Sequence, residues 1–250
     1  MTTIQTETID RIATITIDAP PVNALGPDGW NALRESTESL SSNTEVRAIV
    51  LTGGPGRFCA GADIAILAEL QDEAAHMLKI VSRAATAIRQ CRVPVIAAID
   101  GPAHGGGLEL ALACDVRIAS ARATFAASGV NMGLIASVPA LTAAIGATRA
   151  SLMLLTGKAI DAEQAAAWAL ASFLDTDPAA RAHAFAEDIA AKAPLAVEAN
   201  KIALRSHGSI ARAQYEALVA DLYSNLEQSD DHREAVDAFL NKRPPTFDRQ

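Results

Sequence analysis

The sequence predicts an α/β protein, with a largely parallel sheet in its N-terminal part and a helical C-terminal region. Three observations carry this reading. Over the first ~130 residues, β-rich runs alternate with helical periodicity, a pattern that calls for crossover units. Beyond Pro139 the signal is almost purely helical. The 250 residues are 50% hydrophobic and 20% charged, which is enough apolar mass for a sizeable core. Only 4% are aromatic, so Ala, Leu, Ile and Val must pack it.

Taken in order, Ile12–Ile17 (IATITI) alternates with period two and reads as a half-buried strand, and PPVNAL follows as a turn and loop. Asp28 is placed to cap a helix running to about Leu40. Val46–Thr52 is a strand closed by Gly53, Gly54, Pro55 and Gly56. Helical periodicity covers Ile64–Gln90 with little interruption. The run VPVIAAID is a buried strand, and GPAHGGGLELALACDVRIAS packs a strand, a glycine turn, a short helix and a strand in quick succession. The C-terminal helices are ALTAAIGATRASLMLLTG, DAEQAAAWAL, Pro178–Ala193, Ala196–Leu204 and Arg212–Leu226, with breaks at Gly157, Pro178, Pro194 and Gly208.

Composition excludes several function classes. A net charge of −8 with scattered Lys and Arg argues against a nucleic-acid footprint. No apolar run reaches the ~20 residues needed to cross a bilayer. The polar start, Met1–Asp10, has no leader pattern, so a soluble cytoplasmic protein without membrane partners is expected. Cys59, Cys91 and Cys114 show no metal-ligand spacing; they read as reduced thiols packed as small hydrophobes, with no metal site. The chain lacks G-x-G-x-x-G, G-x-x-x-x-G-K-[ST] and G-x-S-x-G, which removes the dinucleotide, P-loop and serine-elbow readings.

The chemistry points to Gly105-Gly106-Gly107, which runs into a short helix carrying Glu109 in its first turn. Unshielded backbone N–H groups at a helix N-terminus suit a developing oxyanion or a phosphate; a tight structural turn is the competing reading. A second small-residue loop, GGPGRFCAGADI, also follows a strand, and two such loops can bring two N–H groups to one point.

On VRAIVLTGGPGRFCAGADI, VPVIAAIDGPAHGGGLELALACDVRIA, APLAVEANKIAL, PPVNAL and EAVDAFLNKRPPTF, taken in order along nearly the whole chain, the sequence resembles the enoyl-CoA hydratase/isomerase, or crotonase, superfamily. The resemblance implies a crotonase-like spiral of β-β-α turns with a helical C-terminal trimerisation region. The core would span residues 1–195. Residues 196–250 would close over the ligand and help build a homotrimer or homohexamer. A coenzyme A thioester is implied as substrate, with no permanently bound cofactor.

Carried over by resemblance, the oxyanion hole falls on the N–H groups of Ala60 and Gly106, and Glu109 matches the first of two catalytic glutamates. Ala24, Leu25, Ala60, Gly61, Ala62, Asp63 and Ile64 would line the CoA and substrate site, and Phe239, Lys242 and Arg243 would cover the bound CoA. Asp63 taken alone reads as a helix cap. The position of the second glutamate is held by Gly129, which has no side chain to move a proton, and the following glycine-rich turn looks shortened. His104, Ser128 and Asn131 are auxiliary polar candidates, each with a packing or loop role as the competing reading. The implied activity is enoyl-CoA hydration in fatty-acid or related acyl-CoA metabolism. Isomerisation with a single Glu and acyl-CoA binding without turnover are the alternatives.

Overall fold

A computed structural model describes residues 2–69, 74–135 and 137–250. Along the chain run β1 (Thr3–Ile9), β2 (Ile12–Asp18), β3 (Ala24–Leu25), α1 (Pro27–Ser42), β4 (Ala48–Thr52), β5 (Gly61–Ala62), α2 (Ile64–Glu69), α3 (Ala74–Gln90), β6 (Val95–Ile99), β7 (Pro102–His104), α4 (Gly106–Ala113), β8 (Val116–Ala119) and β9 (Thr124–Ala126). A 3-10 turn (Ser128–Met132) follows, then α5 (Val138–Ile145), α6 (Ala147–Thr156), β10 (Ile160–Asp161), α7 (Ala162–Ala167), β11 (Phe173–Leu174), α8 (Pro178–Ala190), α9 (Pro194–Ser206), α10 (Arg212–Glu227) and α11 (Asp230–Leu240).

The main sheet has the order β1-β2-β4-β6-β8-β11, parallel throughout except for the β1–β2 hairpin. Both faces of its centre are covered, which is why β4 and β6 read as continuous apolar runs rather than alternating ones. Ile49, Leu51, Val95, Ala97 and Ile99 face the larger core shared with α1, α3 and α4. Ala48, Val50, Ile96 and Ala98 face the opposite way, against Ala182 and Ala186 of α8. A smaller sheet, β10-β9-β7, and the β3–β5 pair stack beside it and carry the site.

Four expectations need correction. β1 is an element that the sequence reading left out: its polar residues are mostly exposed at the sheet edge, so it has no hydrophobic alternation to announce it. Asp28 is not the cap of α1; Gly26 is, with Pro27 at the first helical position and Asp28 within the first turn. The helical run after Pro139 breaks at Gly146, whose φ of +79 separates α5 from α6. That region is not purely helical either, since β10 and β11 extend the two sheets. The junction between α2 and α3, inside the helical run expected over Ile64–Gln90, lies outside the described residues.

The C-terminal helices are tied to the core by charge. Lys201 on α9 is buried and donates to Asp115 Oδ2 at 2.7 Å and to Val93 O at 2.8 Å. Glu198 accepts from Arg92 Nη1 at 2.5 Å and from Arg249 Nε at 2.9 Å, fastening the C-terminal tail to α9. The three cysteines are buried, and burial pushes the Cys59 and Cys114 thiols up to about 12, so they pack as apolar groups.

Candidate active site

The site strand, residues 59–62, bridges β7 at Cys59, ends in β5 and is held in place by Asn23 of the PPVNAL loop. Asn23 is fully buried; its amide nitrogen donates to Ile17 O, Gly53 O and Phe58 O at 2.9–3.0 Å, and its oxygen accepts from Ala19 N–H at 2.9 Å. One side chain therefore binds the end of β2, the loop after β4 and the start of the site strand. The glycine turn packs against this strand with no room for side chains. A β-carbon on Gly107 would lie 1.8 Å from Cys59 O, and one on Gly106 would lie 2.9 Å from the Trp30 ring.

The direction of each amide follows from the pairing. Cys59 pairs with β7, donating to Pro102 O at 3.0 Å and accepting from His104 N–H at 3.1 Å. Ala60 turns to the other edge, and its N–H donates to Val22 O at 3.1 Å. This corrects the oxyanion donor expected at Ala60, because that amide is already engaged within the scaffold. Regular alternation would also send Ala62 toward β3, yet it is Asp63 whose N–H reaches Leu25 O, at 3.0 Å. The alternation slips by one at Gly61, whose φ of +101 favours glycine, and Ala62 lines the same cleft as Gly106. Gly106 N lies 3.1 Å from where a Gly61 β-carbon would be. As the first residue of α4, Gly106 has an amide with no partner inside the helix.

Glu109, one turn along α4, lines a cleft of about 340 Å³ together with Ala60, Ala62, Ile64, Gly105 and Gly106. Burial pushes its carboxyl above the ordinary value of 4.5, against the pull of the Arg89 charge and of the Ser137 hydroxyl 3.5 Å from Oε2. Such a carboxyl holds a proton more readily than an exposed one, as a group that must exchange protons requires. Met77, Leu78 and Val81 of α3, with Met132 at the end of the 3-10 turn and Leu134 and Ile135 beyond it, add an apolar wall.

The other expected residues divide. His104 lines the cleft, with Nε2 2.9 Å from Thr124 Oγ1, and burial lowers its pKa below 6.5, which keeps the ring neutral at physiological pH. Ser128 and Gly129 lie on the cleft wall in the 3-10 turn. Asn131 also reaches the wall, but its amide is turned to Gly157 O at 3.3 Å, which is a packing role. Asp63 caps α2, accepting from Ala65 N–H at 2.9 Å and Ile66 N–H at 3.4 Å. Leu25 does not offer its side chain to a ligand: it is fully buried, and its carbonyl is taken by Asp63 N–H and Trp30 Nε1. Ala24 and Gly61 act as backbone scaffold in the β3–β5 pair.

Phe239, Lys242 and Arg243 stand apart from the cleft lining. Phe239 is 83% exposed, and Arg243 is clamped to Glu234 and Asp237 of the preceding α11 at 2.6–2.7 Å. Sequence reasoning missed Asn23, Ser137 and the apolar residues of α3. The α3 stripe at 77 and 81 has the spacing of an ordinary core face, and Ser137 carries no motif at all.

The family described as enoyl-CoA hydratase/isomerase matches residues 7–250. Over 95% of both chains, the protein is 33% identical to 2,3-dehydroadipyl-CoA hydratase of Escherichia coli. It is 35% identical to (E)-benzylidenesuccinyl-CoA hydratase of Thauera aromatica, over 96% of this chain and 97% of that one. The crystal structure of an enoyl-CoA hydratase from Bacillus anthracis superposes with a TM-score of 0.95 at 28% identity, covering 99% of each chain.

Proposed function

Because the chain belongs to the enoyl-CoA hydratase/isomerase family, we propose that it adds water reversibly to the double bond of a 2-enoyl-CoA whose acyl chain is apolar. The observation that carries this reading is the cleft, lined by Ala62, Gly106, one elevated carboxyl and an apolar wall. In this reading the thioester oxygen accepts from the N–H groups of Ala62 and Gly106, which stabilise the negative charge that grows there as hydroxide bonds to C3. Glu109 takes the proton from water and returns one to C2, so that H and OH are added and the carboxylate is regenerated. No Lys or Arg lines the cleft among the described residues, so an acyl group bearing a second carboxylate meets no counter-charge.

Isomerisation is the second reading, favoured by one observation: Glu109 is the only carboxyl lining the cleft among the described residues, and Gly129 stands where a second would sit. One carboxylate suffices to take a proton from C2 of a 3-enoyl thioester and deliver it to C4. We also assign the CoA moiety to the backbone of residues 60–63, in a soluble cytoplasmic enzyme of fatty-acid or related acyl-CoA metabolism with no resident cofactor. The division into a core over 1–195 and a closing region over 196–250 belongs to the same proposal. So does a homotrimer or homohexamer, supported by exposed Leu155, Leu204, Tyr223, Phe239 and Leu240 and by an α10 with no buried residue. Phe239 and Lys242 would then meet CoA only in that assembly.

The test is a panel of enoyl-CoA esters. Loss of enone absorbance from 2-enoyl esters reports hydration, and its appearance from 3-enoyl esters reports isomerisation. Glu109→Gln should lower the active rate by about 10²–10⁴-fold with binding and folding kept. Equal affinity for a free fatty acid and its CoA ester, or tight binding with no turnover of any ester, would refute the assignment.

A further inference from the structure

We propose that Ser137 is a positioning residue for Glu109, its hydroxyl orienting the reacting carboxyl from the start of α5. The proposal rests on Glu109 being the proton-transfer group. Ser137 immediately precedes α5, where a serine ordinarily has an extended backbone and caps the helix through its hydroxyl. Here it does neither. Its backbone is left-handed, with φ 61° and ψ 9°, and the side chain makes no capping hydrogen bond. Pro139 occupies the second helical position and has no N–H to offer, which removes one of the two usual partners. Ser137 is 8% exposed, and the hydroxyl is directed instead at Glu109 Oε2, 3.5 Å away.

That contact is the only hydrogen bond to the Glu109 side chain among the described residues. It is long, as contacts of reacting groups are before a ligand closes the site. The other groups around the carboxyl do not substitute for it. Arg89 on α3 acts through its charge without a hydrogen bond, the neutral His104 on β7 is held by Thr124, and Asn131 is turned toward Gly157. Gly129 contributes no side chain. A hydroxyl donating to Oε2 fixes which carboxyl oxygen faces the acyl chain and favours the ionised form, opposing the effect of burial.

The test is Ser137→Gly beside Glu109→Gln, each measured as kcat and KM against pH on the best enoyl-CoA ester, with thermal melts. Glycine accommodates φ 61° better than serine does. A purely structural Ser137 therefore predicts equal or higher thermal stability and an unchanged pH profile. Positioning predicts that kcat falls about 10-fold or more with KM little changed, since a hydrogen bond to a charged group is lost. It also predicts that the limb belonging to Glu109 moves to higher pH, because the carboxylate has lost a donor. An unmoved limb and an unchanged kcat in the glycine variant overturn the proposal while Glu109→Gln is still impaired. If Glu109→Gln itself turns over at the wild-type rate, the assignment of Glu109 falls, and the role of Ser137 falls with it.

Discussion

Gly107→Ala adds one methyl group that touches no substrate, yet it should disable the site. The β-carbon would sit 1.8 Å from Cys59 O, whereas such atoms essentially never approach closer than 3.0 Å. The start of α4 must therefore retreat by about 1.2 Å from the site strand, since the obstacle is backbone rather than a pliable side chain. The same movement strains the 3.1 Å bond from His104 N–H to Cys59 O and parts the Gly106 amide from that of Ala62. A misplacement of about 1 Å costs on the order of 10²-fold in rate, and overpacking of this kind costs about 1–3 kcal/mol of stability. For a chain of this size that stability loss lowers Tm by roughly 2–12 °C. The assay is kcat/KM on an enoyl-CoA ester beside a thermal melt. Gly208→Ala serves as the control: its φ of +73 also disfavours alanine, but open space surrounds it between α9 and α10, so it should lose stability without losing rate. A Gly107→Ala protein with wild-type Tm and turnover would refute the argument that close backbone contact sets the amide pair.

Two further outcomes are expected. Gly129 lies in a 3-10 turn on the cleft wall, where a right-handed backbone accepts a side chain, so Gly129→Glu should raise 2-enoyl-CoA hydration by up to about 10²-fold; a folded but slower variant would show that the second role lies elsewhere. Burial alone would raise the Glu198 carboxyl, but hydrogen bonds from Arg249 and Arg92 hold it below its ordinary 4.5. The stability it contributes is thus present above that value and lost as pH falls through the lower folded one; Glu198→Gln should flatten this part of the acid dependence of Tm, and an unchanged slope would count against it.

Much of the fold was legible because it rests on local pattern. The buried runs of β4 and β6, the glycine turn before Glu109 and the capping of α2 by Asp63 each announce themselves within a few residues. β1 did not, because an exposed edge strand has no apolar period, and Asp28 misled because the cap is Gly26, two residues earlier, with Pro27 opening the helix. Of the candidate site, Glu109 and Gly106 were readable by resemblance, and the structure keeps both on the cleft.

The α/β class, the family and the two glycine-rich loops are properties of residue order and are readable from it. Folding in space settles which amides of the segment 60–63 are spent on the neighbouring backbone, those of Ala60 and Asp63. Hydrogen-bond direction depends on pairing with two strands at once and on the positive φ of Gly61, and neither is encoded in the identity of the alanines. The meeting of Ser137 with Glu109 was likewise settled in space, between residues 28 positions apart, by a helix start whose left-handed backbone turns its hydroxyl away from the usual cap.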